Sequence, residues 1–474
     1  MKKIVFLAIA LMGLSVFVNA QVNDSFTLNQ NDVIIQQNGV YDVISFEGCS
    51  YTDEIGNPQL PVKIVSYVLP YHSTIIGIDV MVTQQKLNGN FYVFPAQPPR
   101  ALDGSDPPPF VEPNLSVYSS NLPYPNKTVE IVDDGYLYGY HVVTVKIYPI
   151  SYISASGEIY LQNYEFTINY TISNCSNSGG KAQQSLRRAE LTKKFIKSIV
   201  KNASDVDGCK NNNVQIVYNN GCQYSIDSTR GGTTSAIDIL VPDYIIITNN
   251  ELKTAFQQLA NWKTKKGTPA FVKTVEEIVS EYQGSDLQEQ IRNYLKEAHK
   301  KWGDGLFILL GGDVNIVPAR LVQINIYNYS PGLKIQPSDL YYATVKGTWN
   351  KNRNSVFGWE PSDFIPDPPN SGSWRPNEEV DSIDYNPVFF LGRVPVRNID
   401  QAEVFVNKII NYEKYTDLGN SSYVNNYLCL TGFLTISPTY GNLLYKMYLK
   451  IFTYRTLLLR MTKQAPQMAT ETGS

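Results

Sequence analysis

The side chains that could carry covalent chemistry in this sequence are few, because only three histidines and five cysteines occur among 474 residues. His141 falls on the apolar face of a predicted strand, and His299 falls in the last turn of a predicted helix. Neither position is the end of a buried strand, where the catalytic groups of α/β enzymes cluster. The nucleophile elbow, the HExxH zinc motif, the P-loop and GxGxxG are all absent from the sequence. The residues alone therefore assign no catalytic group.

The sequence positions of three cysteines favour structural roles over catalytic ones. Cys429 lies inside the apolar run Tyr427 to Leu430, which predicts a buried structural thiol and not a nucleophile. Cys209 and Cys222 bracket a polar loop and are close in sequence. If the protein is exported, disulfides can form, and these two residues are the predicted pair.

The first twenty residues predict export. Lys2 and Lys3 precede an apolar run, and Val18, Asn19 and Ala20 resemble a signal-peptidase site. We therefore predict a signal peptide over residues 1–20 and a secreted or cell-surface location; an uncleaved anchor is the alternative. No later apolar run reaches the length of about 18 residues that a spanning helix needs, so no stable membrane span is expected. The net charge of −3 argues against a nucleic-acid partner.

Residues 21–175 predict a domain built of β-strands. Apolar residues alternate with polar ones in several runs, which is the period of a strand with one buried face. Turn-forming glycine, asparagine and proline residues separate these runs. An antiparallel β-sandwich fits the pattern best. The alternating runs are Ile76 to Val82, His141 to Ile147 and Tyr164 to Ile172.

The composition changes over residues 176–236, where basic residues outnumber acidic ones between Lys181 and Lys201. We interpret this segment as a basic linker with helical character that continues into a flexible stretch. From residue 237 the pattern becomes strand, helix, strand, helix, strand, which is typical of a parallel α/β sheet. Asn250, Ser285 and a capping box of Asp400 with Glu403 are the predicted helix starts. Residues 348–387 form a long insertion rich in tryptophan and proline.

A series of short motifs in the α/β part resembles the gingipain family of cysteine peptidases, over about residues 237–435. The β-rich part is similar to the propeptide of that family, on the segments Gly56 to Val62 and Pro95 to Pro98. The α/β motifs, in order, are Val241 to Thr248, Trp262 to Gly267, Ile291 to Leu295, Leu309 to Asp313, Ile316 to Pro318, Asp339 to Tyr342, Gly392 to Val396 and Lys408 to Glu413.

The resemblance implies a β-sandwich-like propeptide followed by a caspase-like α/β/α domain, secreted as a zymogen that acts on protein or peptide substrates. It implies catalysis by a His–Cys dyad, in which a thiolate attacks the scissile carbonyl. In the family the dyad histidine stands in a Gly-His-Gly stretch, which this sequence lacks, so the catalytic residues stay unassigned. A sortase-like transpeptidase of the same family and a non-catalytic secreted binding protein are the alternatives. Contact with a secretion machinery is expected.

The resemblance also implies two further kinds of site. A zymogen must be cut between its propeptide and its catalytic domain, in exposed backbone. Arg188 and Arg230 are the predicted processing residues, and Arg230 is preferred because it stands shortly before the first α/β strand. For calcium, Asp313 and Asp384 match carboxylate ligands, and Lys346 matches a ligand that uses its main-chain carbonyl. A further acid of the family's set falls on Val388 here.

Residues 436–474 form an atypical tail, because no acidic residue occurs between Asp417 and Glu471. The basic and apolar run Tyr445 to Arg460 does not continue the α/β pattern. We expect the α/β domain to be truncated or read in a shifted frame at this end. The alternative is a basic amphipathic tail that lies on a membrane or a partner.

Overall fold

The protein is described here by a computed structural model. It describes residues 18–98, 108–172, 181–209, 214–217, 241–324, 334–353, 356–358, 364–366, 374–376 and 381–414. The strands are β1 Val18–Phe26, β2 Ile34–Asn38, β3 Tyr41–Ser45, β4 Ser50–Tyr51, β5 Pro61–Leu69, β6 Ser73–Lys86, β7 Pro123–Tyr124, β8 Val129–Leu137, β9 Tyr140–Ile147, β10 Ile150–Ile153, β11 Glu158–Ile172, β12 Ala182–Ser185, β13 Val214–Val217, β14 Tyr244–Thr248, β15 Ala270–Thr274, β16 Phe307–Gly311, β17 Arg320–Ile324, β18 Lys334–Ser338, β19 Phe364–Pro366, β20 Trp374–Pro376 and β21 Phe390–Val394. The α-helices are α1 Leu115–Tyr118, α2 Leu186–Ile199, α3 Lys253–Lys265, α4 Val275–Glu281, α5 Leu287–Trp302, α6 Leu340–Ala343 and α7 Ile399–Lys414.

Two antiparallel sheets form the N-terminal unit. In the first sheet the long strand β11 pairs with β1 on one side and with β6 on the other, and it continues to β10 and β7. The second sheet has the order β4-β5-β9-β8. Side chains from both sheets meet in one apolar core, which contains Tyr67 and Val145 from the second sheet and Phe166 and Ile168 from the first. The predicted sandwich is therefore present, with one face of each sheet buried.

The predicted buried face of β6 is wrong in part. The alternation Ile76, Ile78, Val80 and Val82 predicts that all four share the buried face, but Ile76 is 61% exposed and Val82 is 36% exposed. The pairing of β6 with β11 shifts by one residue between Gly77 and Ile75, and this bulge turns Ile75 inward in place of Ile76. The alternating sets on β9 and β11 are buried as predicted.

The α/β unit is a four-stranded parallel sheet of order β15-β14-β16-β21. Successive strand residues point to opposite sides, so Ile245 and Ile247 pack with α4 and α5, and Ile246 packs with α3 and α7. The unit therefore has helices on both faces of its sheet, as the alternating pattern predicts.

Three predicted helix starts need correction. Lys253 begins α3, and the side chain of Asn249, not Asn250, accepts from the Leu252 backbone N–H. Helix α5 begins at Leu287 with Asp286 as its N-cap, one residue after Ser285. At the start of α7 the Gln401 backbone N–H donates to the Asn398 side chain, and the Gln401 side chain accepts from the Arg397 backbone N–H; Asp400 and Glu403 do not make these contacts. In each case several polar residues stand near the start, and tertiary packing selects among them.

The basic segment is not a flexible linker where the structure describes it. Ala182–Ser185 forms a strand, Leu186–Ile199 forms α2, and a 3-10 helix follows at Ala203–Gly208. The helical character that the composition suggests is present, but the helix is packed against both units. Within the described ranges, no helix is long and apolar enough to span a bilayer.

Candidate functional site

Helix α2 joins the two units, and its first turn contacts the α/β unit through a buried arginine. Ser185 caps the helix by accepting from the Arg188 backbone N–H, and its hydroxyl also donates to Asp243, which precedes β14. The Arg188 side chain is 1% exposed and its Nε lies 3.0 Å from Asp243 Oδ1. Asp243 is equally buried, so neither charge can be solvated by water.

The remaining guanidinium donors of Arg188 reach the backbone of the α/β unit. Nη1 donates to the carbonyl of Asp304 at 2.9 Å, and Nη2 donates to the carbonyl of Trp302 at 2.9 Å. Burial lowers the pKa of Arg188, and Asp243 opposes that effect. A guanidinium whose Nε, Nη1 and Nη2 all have partners is the arrangement that lets a buried charge persist.

The other end of α2 contacts the sandwich. Asn202 pairs with the backbone of Val68 on β5 at 2.9 Å in both directions, and the Lys201 N–H donates to Ser66. Ile196 and Val200 pack with Val68 and with residues of β9 in an apolar cluster. The helix is therefore fixed at one end to the α/β unit and at the other end to the sandwich.

A hairpin of the sandwich makes a second contact with the α/β unit. Strands β8 and β9 meet at Tyr138 and Gly139, both with positive φ, as a two-residue turn requires. The Tyr138 ring stacks on Phe390 of β21 with centroids 4.2 Å apart, and it meets Phe195 of α2 edge-on. Gly135 lies so close to Asn386 that a Cβ at this position would clash with the Asn386 amide. The hairpin thus fits closely against the segment before β21.

A cavity of about 300 Å³ lies beside this hairpin, between the two units. His141 is the buried titratable group at its inner wall; its Nδ1 lies 2.7 Å from Ser73 Oγ, and its Nε2 contacts Asp134. This confirms the prediction of a buried His141 on an apolar strand. The sandwich side is lined by Ser73, Thr74, Asp134, Gly135, Tyr136 and His141, and the α/β side by Lys346, Asp384, Asn386 and Val388.

Neither His141 nor His299 is paired with a thiol among the described residues. His299, in the last turn of α5 as predicted, contacts Asp304 at 3.0 Å. Cys49 and Cys209 are buried free thiols. Burial raises the pKa of Cys209 to about 11, so its thiolate is disfavoured near neutral pH. Cys222 and Cys429 lie outside the described residues, and the Cys209–Cys222 disulfide stays a prediction.

The three predicted calcium ligands are not brought together. Lys346 and Asp384 line the cavity, but Asp313 is not among the lining residues. Asp313 follows β16, and its carboxylate contacts Arg397 and Asn315. The Lys346 carbonyl accepts from Arg292. Over the described chain, no group of three acidic, histidine or cysteine side chains has the arrangement of a metal site. These contacts do not fit one ion held by all three residues.

The structure describes one of the two predicted processing residues, Arg188, and does not describe the other, Arg230. Arg188 is buried within α2, which contradicts the exposure on which its prediction depended. Its sequence environment nevertheless held a usable signal: Ser185 three residues earlier is a helix cap, and Asp243 stands directly before the first α/β strand. Arg230 lies outside the described residues, and cleavage there stays a prediction.

Comparison with known proteins gives matches that follow the division into two units. The family model for Peptidase family C25 matches residues 238–465, and the model for the C25 propeptide matches residues 22–196. The chain belongs to the gingipain family of cysteine peptidases, and it carries the propeptide of that family. Because the propeptide match ends inside α2, the family boundary agrees with an N-terminal unit that includes most of this helix.

Individual relatives cover the chain only in part. Gingipain R2 of Porphyromonas gingivalis (strain ATCC BAA-308 / W83) is 28% identical over 114 residues, which are 24% of this chain and 13% of that protein. Two solved structures are similar over limited parts. One is a structure that describes the zymogenic latency of gingipain K from Porphyromonas gingivalis. It is 21% identical to this chain with a TM-score of 0.29, and the match covers 32% of this chain and 88% of that chain. The other is a complex of the pro- and mature domains of RgpB from Porphyromonas gingivalis. It is 14% identical to this chain with a TM-score of 0.30, and the match covers 39% of this chain and 93% of that chain. At these TM-scores, neither likeness bears on the fold of this chain.

Replacing Arg188 by methionine should strongly destabilise the chain. The substitution keeps most of the side-chain volume but leaves Asp243 buried without its counter-charge, which costs about 3–5 kcal/mol. The urea midpoint of unfolding, followed by circular dichroism, measures the effect. Arg187→Met is the matched control, because this exposed neighbour makes one backbone contact and should shift stability by less than about 0.5 kcal/mol. Equal midpoints for the two variants would contradict the assignment.

Calcium should leave the melting temperature of the chain unchanged. A ligand stabilises the folded state only if it binds there, and the described positions of Asp313, Lys346 and Asp384 do not form one site. Melting curves in calcium and in chelator provide the measurement. A rise in calcium that disappears in both Asp313→Asn and Asp384→Asn would show that these residues do converge on an ion.

Proposed function

We propose that this chain is part of a secreted cysteine peptidase zymogen, in which the sandwich is the propeptide and the parallel sheet begins a caspase-like catalytic domain. The observation that carries the proposal is the order of the two family matches on two structural units that α2 holds together. The substrates are proteins or peptides, as expected for a peptidase of this family.

Export is part of this proposal and depends on the basic and apolar start of the sequence. In the structure β1 begins at Val18, which pairs with Ile172 at the end of β11, and the antiparallel pairing continues to Phe26 and Tyr164. Cleavage before Gln21 would remove three of the nine residues of β1 and leave the pairs from Gln21 to Phe26 in place. The remaining six residues are an ordinary strand length, so signal removal is compatible with the sandwich.

Latency in this proposal depends on contacts that survive a cut between the units. Cleavage after Arg230 would leave α2 and β13 on the propeptide side and β14 on the other. The Arg188–Asp243 pair, the carbonyl contacts of Arg188 and the Tyr138–Phe390 stack all cross that boundary. A cut propeptide should therefore stay bound without a covalent link.

Processing can be tested on the secreted chain. We expect N-terminal sequencing of the larger C-terminal fragment to begin at Gly231, and the two fragments to elute together in size-exclusion chromatography. In Arg188→Met the fragments should separate, whereas in Arg187→Met they should not. A new N-terminus far from Gly231 would refute the processing site, and separation of the wild-type fragments would refute the proposed retention.

Peptidase chemistry needs its own test. Among the described residues, His141 contacts Ser73 and Asp134, and His299 contacts Asp304, so neither ring is paired there with a thiol. We expect residues 21–474 to show no turnover of arginine, lysine or mixed peptide substrates. A thiol-reactive probe should label no residue in a substrate-protected manner. Turnover that is lost in Cys429→Ala would contradict this expectation and would identify the nucleophile.

A further inference from the structure

Arg292 on α5 is a buried cation that donates to neutral oxygens. Its side chain is 2% exposed, and Nη1 donates to the Tyr341 carbonyl and, at 3.4 Å, to Thr344 Oγ1. Nη2 donates to the Lys346 carbonyl and, at 3.5 Å, to the Gly347 carbonyl. The oxygens that accept from Arg292 among the described residues therefore come from one short segment of the chain and carry no formal charge.

Two aromatic rings complete the surroundings of this guanidinium. Arg292 Cζ lies 4.6 Å from the centre of the Tyr341 ring and 5.6 Å from the centre of the Trp349 ring. Aromatic faces attract cations, and arginine is the commonest cation found over them. Arg320 lies over the same Tyr341 ring, but its charge is paired with the carboxylate of Asp286. Oxygens and rings around Arg292 thus have the composition of a cation-binding cage, and a side chain of the same protein fills it.

The guanidinium keeps its charge in this cage. Burial lowers the pKa of Arg292 to about 10, and Tyr341 and Asp384 oppose that effect. A group with this pKa is protonated at neutral pH. A buried charge needs hydrogen-bond partners in place of water, and here the carbonyl oxygens provide them. The same carbonyls would in turn lose their donors if the side chain were removed.

The segment that receives Arg292 has an uncommon backbone conformation. Gly347 has a φ of 76° and Trp349 has a φ of 60°. The left-handed region is rare for a residue with a large side chain, and it persists only where surrounding contacts hold it. A Cβ at position 347 would lie 2.8 Å from the Ser382 carbonyl, so this position requires glycine for space as well. Arg292 supplies fixed contacts to this segment from a regular helix.

These contacts also bear on the predicted calcium site. The Lys346 carbonyl, which matched a main-chain calcium ligand, accepts from Arg292, and Asp313 contacts Arg397 at 3.0 Å. Val388 stands where the family's set has a further acid. Two of the three predicted ligands therefore meet a guanidinium of the chain itself. Calcium affinity depends on the number of charged ligands, whereas neutral oxygens with aromatic rings suit an organic cation.

We propose that the Arg292 side chain is a built-in cation that fixes residues 341–349, as a bound metal ion fixes a loop in other proteins. The cage selects a planar guanidinium, because its oxygens receive both terminal nitrogens and its rings lie beside the group. The segment that is fixed in this way carries Lys346, whose Nζ lies 4.3 Å from the centre of the Tyr136 ring of the sandwich. The proposal does not rest on the peptidase function.

Chemical rescue tests the cage in residues 21–474. Arg292→Ala should lower the melting temperature by about 10 °C, because several buried carbonyls lose their donors. Methylguanidinium should then restore at least half of that loss in a saturable manner, since a ligand that binds the folded state stabilises it by mass action. Methylammonium has the same charge without the planar pair of donors, and neither it nor calcium should restore the melting temperature. Absence of rescue by methylguanidinium, or equal rescue by methylammonium or calcium, would overturn the proposal.

Leu295→Ala is the matched control, because Leu295 is 1% exposed on the same helix and its removal leaves an apolar cavity. This variant should also melt at a lower temperature, but methylguanidinium should not raise it; an equal rise would show a general effect and refute the cage. Arg292→Lys is a second variant that keeps the charge but offers a single ammonium. It should melt about 5 °C below the wild-type chain, and a wild-type melting temperature would contradict selection of a guanidinium.

Discussion

The buried pair of Arg188 and Asp243 is the interaction on which the relation between the two units depends. Both side chains are almost fully excluded from water, so each needs the other, and the guanidinium also satisfies backbone carbonyls that end α5 and precede β16. Such a pair adds modest net stability over an apolar replacement, but removal of one partner is costly. This asymmetry makes α2 a fixed connection, whose position sets where the sandwich meets the parallel sheet.

The hairpin contact follows from that constraint. With α2 held at both ends, Phe195 stands beside the Tyr138 turn, and the turn can stack on the first residue of β21. The cavity that His141 lines lies at the same junction.

Much of the fold could be predicted from the sequence, because the spacing of apolar residues indicates which positions of a strand or helix are buried. Strands such as Tyr244–Thr248 and the buried set of β9 follow directly from it. A bulge at Ile76 escaped prediction because one extra residue reverses the inward face without leaving a local signal. The role of Arg188 was missed for a different reason: a basic residue in a basic segment looks solvated until its distant partner is known, and Asp243 is 55 residues away. Asp313 matched a family motif, but a motif does not give the distance to Asp384.

The most direct measurement is the free energy of opening, residue by residue, from hydrogen exchange in low concentrations of denaturant. Amides of β9 in the sandwich and of β14 in the α/β unit should open together in the wild-type chain, because α2 couples the units. In Arg188→Met the two sets should separate, with β14 and β9 opening at different free energies. Independent opening of the two strands in the wild-type chain would contradict the account.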